Sequence, residues 1–144
     1  MIIPIVAYGT KVLKQKAEDI SSDYPDLEQL IVDMFETMYE ASGVGLAAPQ
    51  IGRSIRLFIV DGSSFADEDA DMEGFRKVFI NPQIVEESGE EWNFNEGCLS
   101  IPSMHAVFSV ELFGPYQFTI GISDSQICTV GTFRRICQIP NFSA

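Results

Sequence analysis

From Asp26 onward the apolar positions are Leu27, Leu30, Ile31, Met34, Phe35 and Met38. This three-four spacing sets them on one face of an α-helix and predicts that the face is buried. Asp23 and Asp26 offer capping oxygens near the start, Pro25 suits a first turn, and Gly43 stops the helix. Further on, Ile55, Leu57 and Ile59 alternate with Arg56, Phe58 and Val60 as far as Asp61-Gly62, the period-two pattern of a strand. Val78-Phe79-Ile80 and Gln83-Ile84-Val85 flank Asn81-Pro82 and predict two strands or one bent strand. Ser88-Gly89 supplies a turn, after which Trp92 and Phe94 alternate with Glu91, Asn93 and Asn95 in a further strand. Ahead of the helix, residues 2–6 are apolar and partly β-branched, which suits a short strand or an arm packed on the core. The expected architecture is α+β, with antiparallel strands around a central helix.

Between helix and strand lies Gly43-Val44-Gly45-Leu46-Ala47-Ala48-Pro49-Gln50. Two glycines around one valine permit positive φ or a close backbone approach, and Gln50 is the only side chain there with polar reach. Such a segment can offer backbone N–H and C=O groups, plus one amide, to an extended peptide or a small carbonyl. Gly43-x-Gly45-x-x-Ala48 also fits a loose dinucleotide fingerprint, but that motif follows a strand and opens a helix, and here the order is reversed. Residues 62–74 carry Asp67, Glu68, Asp69, Asp71 and Glu73. A calcium loop beginning at Asp67 needs Gly and Glu where Met72 and Val78 stand, so a solvated acidic loop is expected.

At 144 residues one domain is expected, and 46% hydrophobic with 21% charged residues is a globular composition. The net charge of −12 opposes nonspecific nucleic-acid binding; a ribosome contact through a local patch stays open. No run approaches the roughly 18 apolar residues of a membrane span. The N-terminus lacks a basic, then apolar, signal-peptide pattern, so the cytoplasm is expected. Cys98, Cys128 and Cys137 are odd in number, with no CxxC, which suits reduced thiols.

The Gly43–Gln50 stretch resembles the first signature of the peptide deformylase family. Asp33-Met34-Phe35-Glu36-Thr37-Met38 is similar to the family's preceding helix, and Glu96-Gly97-Cys98-Leu99-Ser100-Ile101-Pro102 to its second signature. The similarity covers roughly residues 1–103. It implies removal of the formyl group from the N-terminal formyl-methionine of nascent polypeptides. It also implies one divalent metal, typically Fe2+ and often replaced by Zn2+, Ni2+ or Co2+, held by one Cys and two His with a water in the fourth place. Cys98 matches the cysteine ligand. Gln50 matches the glutamine whose amide, with the backbone N–H of Leu99, faces the formyl oxygen as an oxyanion hole. Gly45 is implied in substrate positioning and Val44 near the pocket for the methionine side chain.

The family's third signature, His-Glu-x-x-His, does not occur in these residues, and the single histidine, His105, matches no ligand position. Residues 1–103 hold 7 Lys/Arg and 19 Asp/Glu, whereas residues 104–144 hold only Glu111, Asp124, Arg134 and Arg135. The tail scatters phenylalanines without sustained helical or strand periodicity. Two units follow, 1–103 deformylase-like and 104–144 an unmatched tail translated out of frame. The chain as written is expected to be inactive, holding no metal tightly. The alternatives are a noncatalytic module that binds formyl-methionyl peptide ends and a nonfunctional fragment.

Overall fold

The chain is described by a computed structural model over residues 1–67, 70–86, 98–101, 117–122 and 126–130, with 83–86, 117–122 and 126–130 as backbone. The turn at Ser88-Gly89, the strand through Trp92 and Phe94, and Glu96, Gly97, Pro102, His105 and Cys137 lie outside the described residues.

Helix α1 (Leu27–Glu40) forms where the apolar stripe predicts it, with Met34, Phe35 and Met38 buried. Both ends close differently from expectation. Asp26 occupies the N-cap at φ 53° with no side-chain capping bond, and the Asp23 carboxyl engages Ser21, which holds it below the ordinary Asp range. At the other end Ser42, not Gly43, takes the left-handed conformation, φ 55°. The Ser42 N–H donates to the Tyr39 carbonyl and the Gly43 N–H to the Met38 carbonyl, both at 2.9 Å. This pair of bonds is a Schellman closure with serine in glycine's usual place.

Strands β1 (Gly45–Ala47), β2 (Leu57–Asp61) and β3 (Arg76–Ile80) form an antiparallel sheet in that order. Leu46, Leu57 and Ile59 join Met34, Phe35 and Met38 in one core cluster. On the other face Phe58 stacks on its cross-strand partner Phe79, with centroids 4.3 Å apart. The alternation along β2 therefore separates two buried faces rather than core from water, and Leu57 through Val60 are all buried. In the acidic segment that follows, Asp67, Asp71 and Glu73 are exposed.

Asn81 ends β3. It sits at φ 49°, and its amide pairs with the backbone of Ile20, accepting at 2.7 Å and donating at 2.8 Å. The chain then enters β4 (Gln83–Glu86) in a second antiparallel sheet with β5 (Gln117–Ile122) and β6 (Gln126–Val130). So the two predicted runs are separate strands in separate sheets. The tail, which shows no periodicity as sequence, contributes two strands because β4 offers an edge to β-prone QFTIGI and QICTV.

Residues 2–6 form an arm rather than a strand. Ile3 and Ile5 pack against the core, and the Ile3 N–H donates to Thr37 Oγ1 at 2.9 Å. The Met1 ammonium pairs with Asp33 and Glu36. No helix among the described residues is long and apolar enough to cross a membrane.

Candidate active site

The first signature splits into two short elements. Neither Gly43 nor Gly45 takes positive φ; Gly45 opens β1, opposite Val60. Half-buried Val44 accepts the Asp61 N–H through its carbonyl at 2.9 Å. The segment is a short strand rather than a turn, and among the described residues the edge of β1 away from β2 has no strand partner. Ala48–Ile51 then makes a single 3-10 turn with Pro49 near its start, ended by Gly52 at φ 80°. The proline suits a first turn because it needs no N–H partner there, and glycine meets the left-handed requirement at the exit.

This turn brings the Gln50 side chain back over β1. Gln50 Oε1 accepts the Ala47 N–H at 2.9 Å, and Nε2 donates to Ser100 Oγ across 3.4 Å, a long bond. Because an N–H can only donate, the Ala47 contact fixes which end of the amide is oxygen. Gln50 is 8% exposed and Ser100 4%. Among the described residues the second Nε2 hydrogen has no acceptor.

Cys98 to Ile101 form a turn closed by the Ile101 N–H on the Cys98 carbonyl at 3.0 Å. Cys98 is a half-buried free thiol. Among the described residues the Leu99 N–H meets no backbone acceptor. The Leu99 side chain reaches back to the first signature, where a Cβ on Gly43 would lie 2.7 Å from Leu99 Cδ1. Gly43 thus serves space, not φ.

The structure therefore brings Gln50 together with the Cys98–Ser100 turn, and Gly43 with Leu99. Ser100 was given no role by sequence reasoning although it belongs to the second signature; its burial beside a buried amide is the signal that singles it out. The donor set is incomplete for the metal the family implies. Cys98 supplies one thiol, the 144 residues hold one histidine, and no three His, Cys, Asp or Glu side chains converge among the described residues. A catalytic zinc-type site needs about three protein ligands, so no chemical step is routed through a metal here.

A short antiparallel sheet backed by one helix, with a buried amide facing a cysteine-bearing turn, defines an α+β domain built around a small polar site. A family model described as polypeptide deformylase matches residues 2–109, and the chain belongs to that family. The peptide deformylase of Christiangramia forsetii is 59% identical over 111 residues, and that of Flavobacterium johnsoniae 54% over 111. Each alignment spans 72% of this chain and 57% of the relative, so the chain covers little more than half the length of these proteins. The crystal structure of the Thermotoga maritima peptide deformylase superimposes with TM-score 0.70 at 32% identity, over 83% of this chain and 74% of that one. A class I type b peptide deformylase from Acinetobacter baumannii gives 0.71 at 32% identity, over 83% and 76%.

Proposed function

We propose that this chain carries the formyl-recognition part of a deformylase site, from a lineage that removes the formyl group from N-terminal formyl-methionine of nascent polypeptides. The supporting observation is the Gln50 amide, fixed in orientation by Ala47, with one N–H uncommitted among the described residues. That N–H and the Leu99 N–H are donors suited to a formyl oxygen, where they stabilise charge as the carbonyl becomes tetrahedral. The edge of β1 at Gly45, unpaired among the described residues, receives the peptide backbone in this reading, and Val44 borders the place of the methionine side chain. Cys98 is the metal ligand in the family's scheme, with Fe2+ the expected ion. Without two histidines the ligand set is not completed within these residues, so binding without turnover is the activity expected. The cytoplasm, with nascent chains near the ribosome, is the setting this substrate implies. Residues from about 104 onward, most of them beyond the family match that ends at 109, fit an out-of-frame continuation.

The test is calorimetry of the 144-residue chain with a formyl-methionyl peptide and its unformylated twin, alongside an assay for formate. Preferential binding of the formylated peptide without formate release supports the reading. Equal affinity for both peptides removes it.

A further inference from the structure

We propose that Ser100 is a positioning residue for Gln50, and that the N-terminal arm holds the pair in place; the inference rests on the reading of Gln50 as the formyl reader. The terminal torsion of a glutamine side chain is broad and roughly two-fold, so one hydrogen bond leaves the amide free to swing. Ala47 fixes the oxygen end. The Ser100 hydroxyl, which can accept while rotating to suit its neighbour, takes one N–H of the other end and leaves the second aimed elsewhere. A buried amide without Ser100 would lose that partner.

The backbone carbonyls of the same two residues are also tied together. The Val6 N–H donates to the Gln50 carbonyl at 2.8 Å, and the Tyr8 N–H donates to the Ser100 carbonyl at 2.7 Å. One arm therefore grips both signatures through donors two residues apart, while the side chains of the gripped residues bond to each other. Ser100 also sits inside the turn that presents Cys98 and Leu99. Its placement thus fixes the Gln50 amide relative to the Leu99 N–H, the geometry on which two-donor recognition of one oxygen depends.

Ser100→Ala should lower the preference for formylated over unformylated peptide by about three- to tenfold, the range of one modest hydrogen bond. Ser100→Thr, which keeps the hydroxyl, should retain most of it. The ratio of the two affinities is the informative readout, because a partly unfolded variant loses both ligands in the same proportion. In a Gln50→Leu background the serine substitution should change the ratio no further. In the free protein, Ser100→Ala should shift the Gln50 side-chain amide resonances in a 15N-1H spectrum. An unchanged ratio in Ser100→Ala, or an equal fall in the Gln50→Leu background, would overturn the positioning role while leaving the reading of Gln50 intact. If the unmutated chain itself shows no preference, the reading of Gln50 fails first and the positioning role falls with it.

Discussion

Gly43 and Leu99 occupy each other's space: the position of a Gly43 Cβ lies 2.7 Å from Leu99 Cδ1. The contact joins the end of α1 to the turn that carries Cys98. Since Gly43 is not at positive φ, an added methyl meets a neighbour and not a backbone prohibition.

Gly43→Ala should therefore destabilise the chain modestly. The atom it meets ends a flexible side chain, so a shift of the leucine rotamer relieves the overlap at about 1 kcal/mol. Urea unfolding measures that cost, and Leu99→Ala supplies the control. In the Leu99→Ala background the same substitution should be neutral or stabilising, because the overlap is gone and alanine restricts the unfolded chain. The same cost in both backgrounds would place the strain elsewhere.

Gln50→Leu should weaken binding of a formylated peptide by roughly 1–3 kcal/mol, the cost of an unmet polar contact, and should affect the unformylated twin less. It also strips the Ala47 N–H of its acceptor, so its loss of fold stability must be measured separately by thermal unfolding. Equal weakening of both peptides would show that Gln50 serves only to fix its own turn.

The helix stripe was legible because packing follows its 3.6-residue period, and Met34, Phe35 and Met38 are buried as that period requires. Buried Asp33 and Thr37 were not. They are covered by the arm, through the Met1 ammonium and the Ile3 N–H, and a contact across more than thirty residues leaves no local pattern. Strand β1 was hidden for a related reason. Three residues, Gly45 to Ala47, are too few and too small to show alternation, and only pairing with β2 makes them a strand. The motifs pointed to Gln50, Cys98 and Leu99, but the bond from Gln50 to Ser100 exists only once the two signatures are packed together. The tail strands were missed because their pairing partner, β4, lies far upstream.

Asp61 should contribute stability that acid removes. Burial pushes its carboxyl up, but hydrogen bonds from Ser63 and Tyr39, helped by the Arg76 charge, outweigh this and hold it below the ordinary Asp range. The Tyr39 hydroxyl donates to it at 2.6 Å. A folded value below the unfolded one, about 4, means the unfolded chain binds the proton first as pH falls. The contribution is therefore complete above that unfolded value and is lost as pH drops through the folded one. Asp33, held low first by the Met1 ammonium and then by Gln29, adds a second loss in the same window. Tyr39→Phe should thus reduce, but not abolish, the fall in Tm on acidification. Parallel Tm curves for the variant and the parent would show that the Tyr39 contact carries no pH-dependent stability.

The nucleotide sequence behind residues 104–144 should encode His-Glu-x-x-His in one of its other two frames. The charged residues nearly vanish after the second signature, falling to four in the last 41 positions, while the family model extends no further than residue 109. A solvent-facing protein surface carries charge, and its loss at one point along a chain is what the proposed change of frame would produce. Absence of the motif from all frames would defeat this explanation.

The chain as written should not retain a stoichiometric metal through dialysis and should release no formate from a formyl-methionyl peptide. A catalytic metal site of this kind uses about three protein ligands and keeps one position for water. Cys98 supplies one, and a single histidine among 144 residues cannot supply the two that the family's scheme requires. The same missing signature contains the glutamate that would take a proton from the attacking water, a general-base role worth about 10²–10⁴ in rate. In the proposed site Gln50 and the Leu99 N–H would polarise a formyl carbonyl, but polarisation without an activated nucleophile leaves the amide intact. Elemental analysis of dialysed protein and a formate assay measure the two halves of this expectation independently. One tightly bound metal per chain, with turnover abolished by Cys98→Ala, would overturn it and would require ligands from residues to which no role is assigned here.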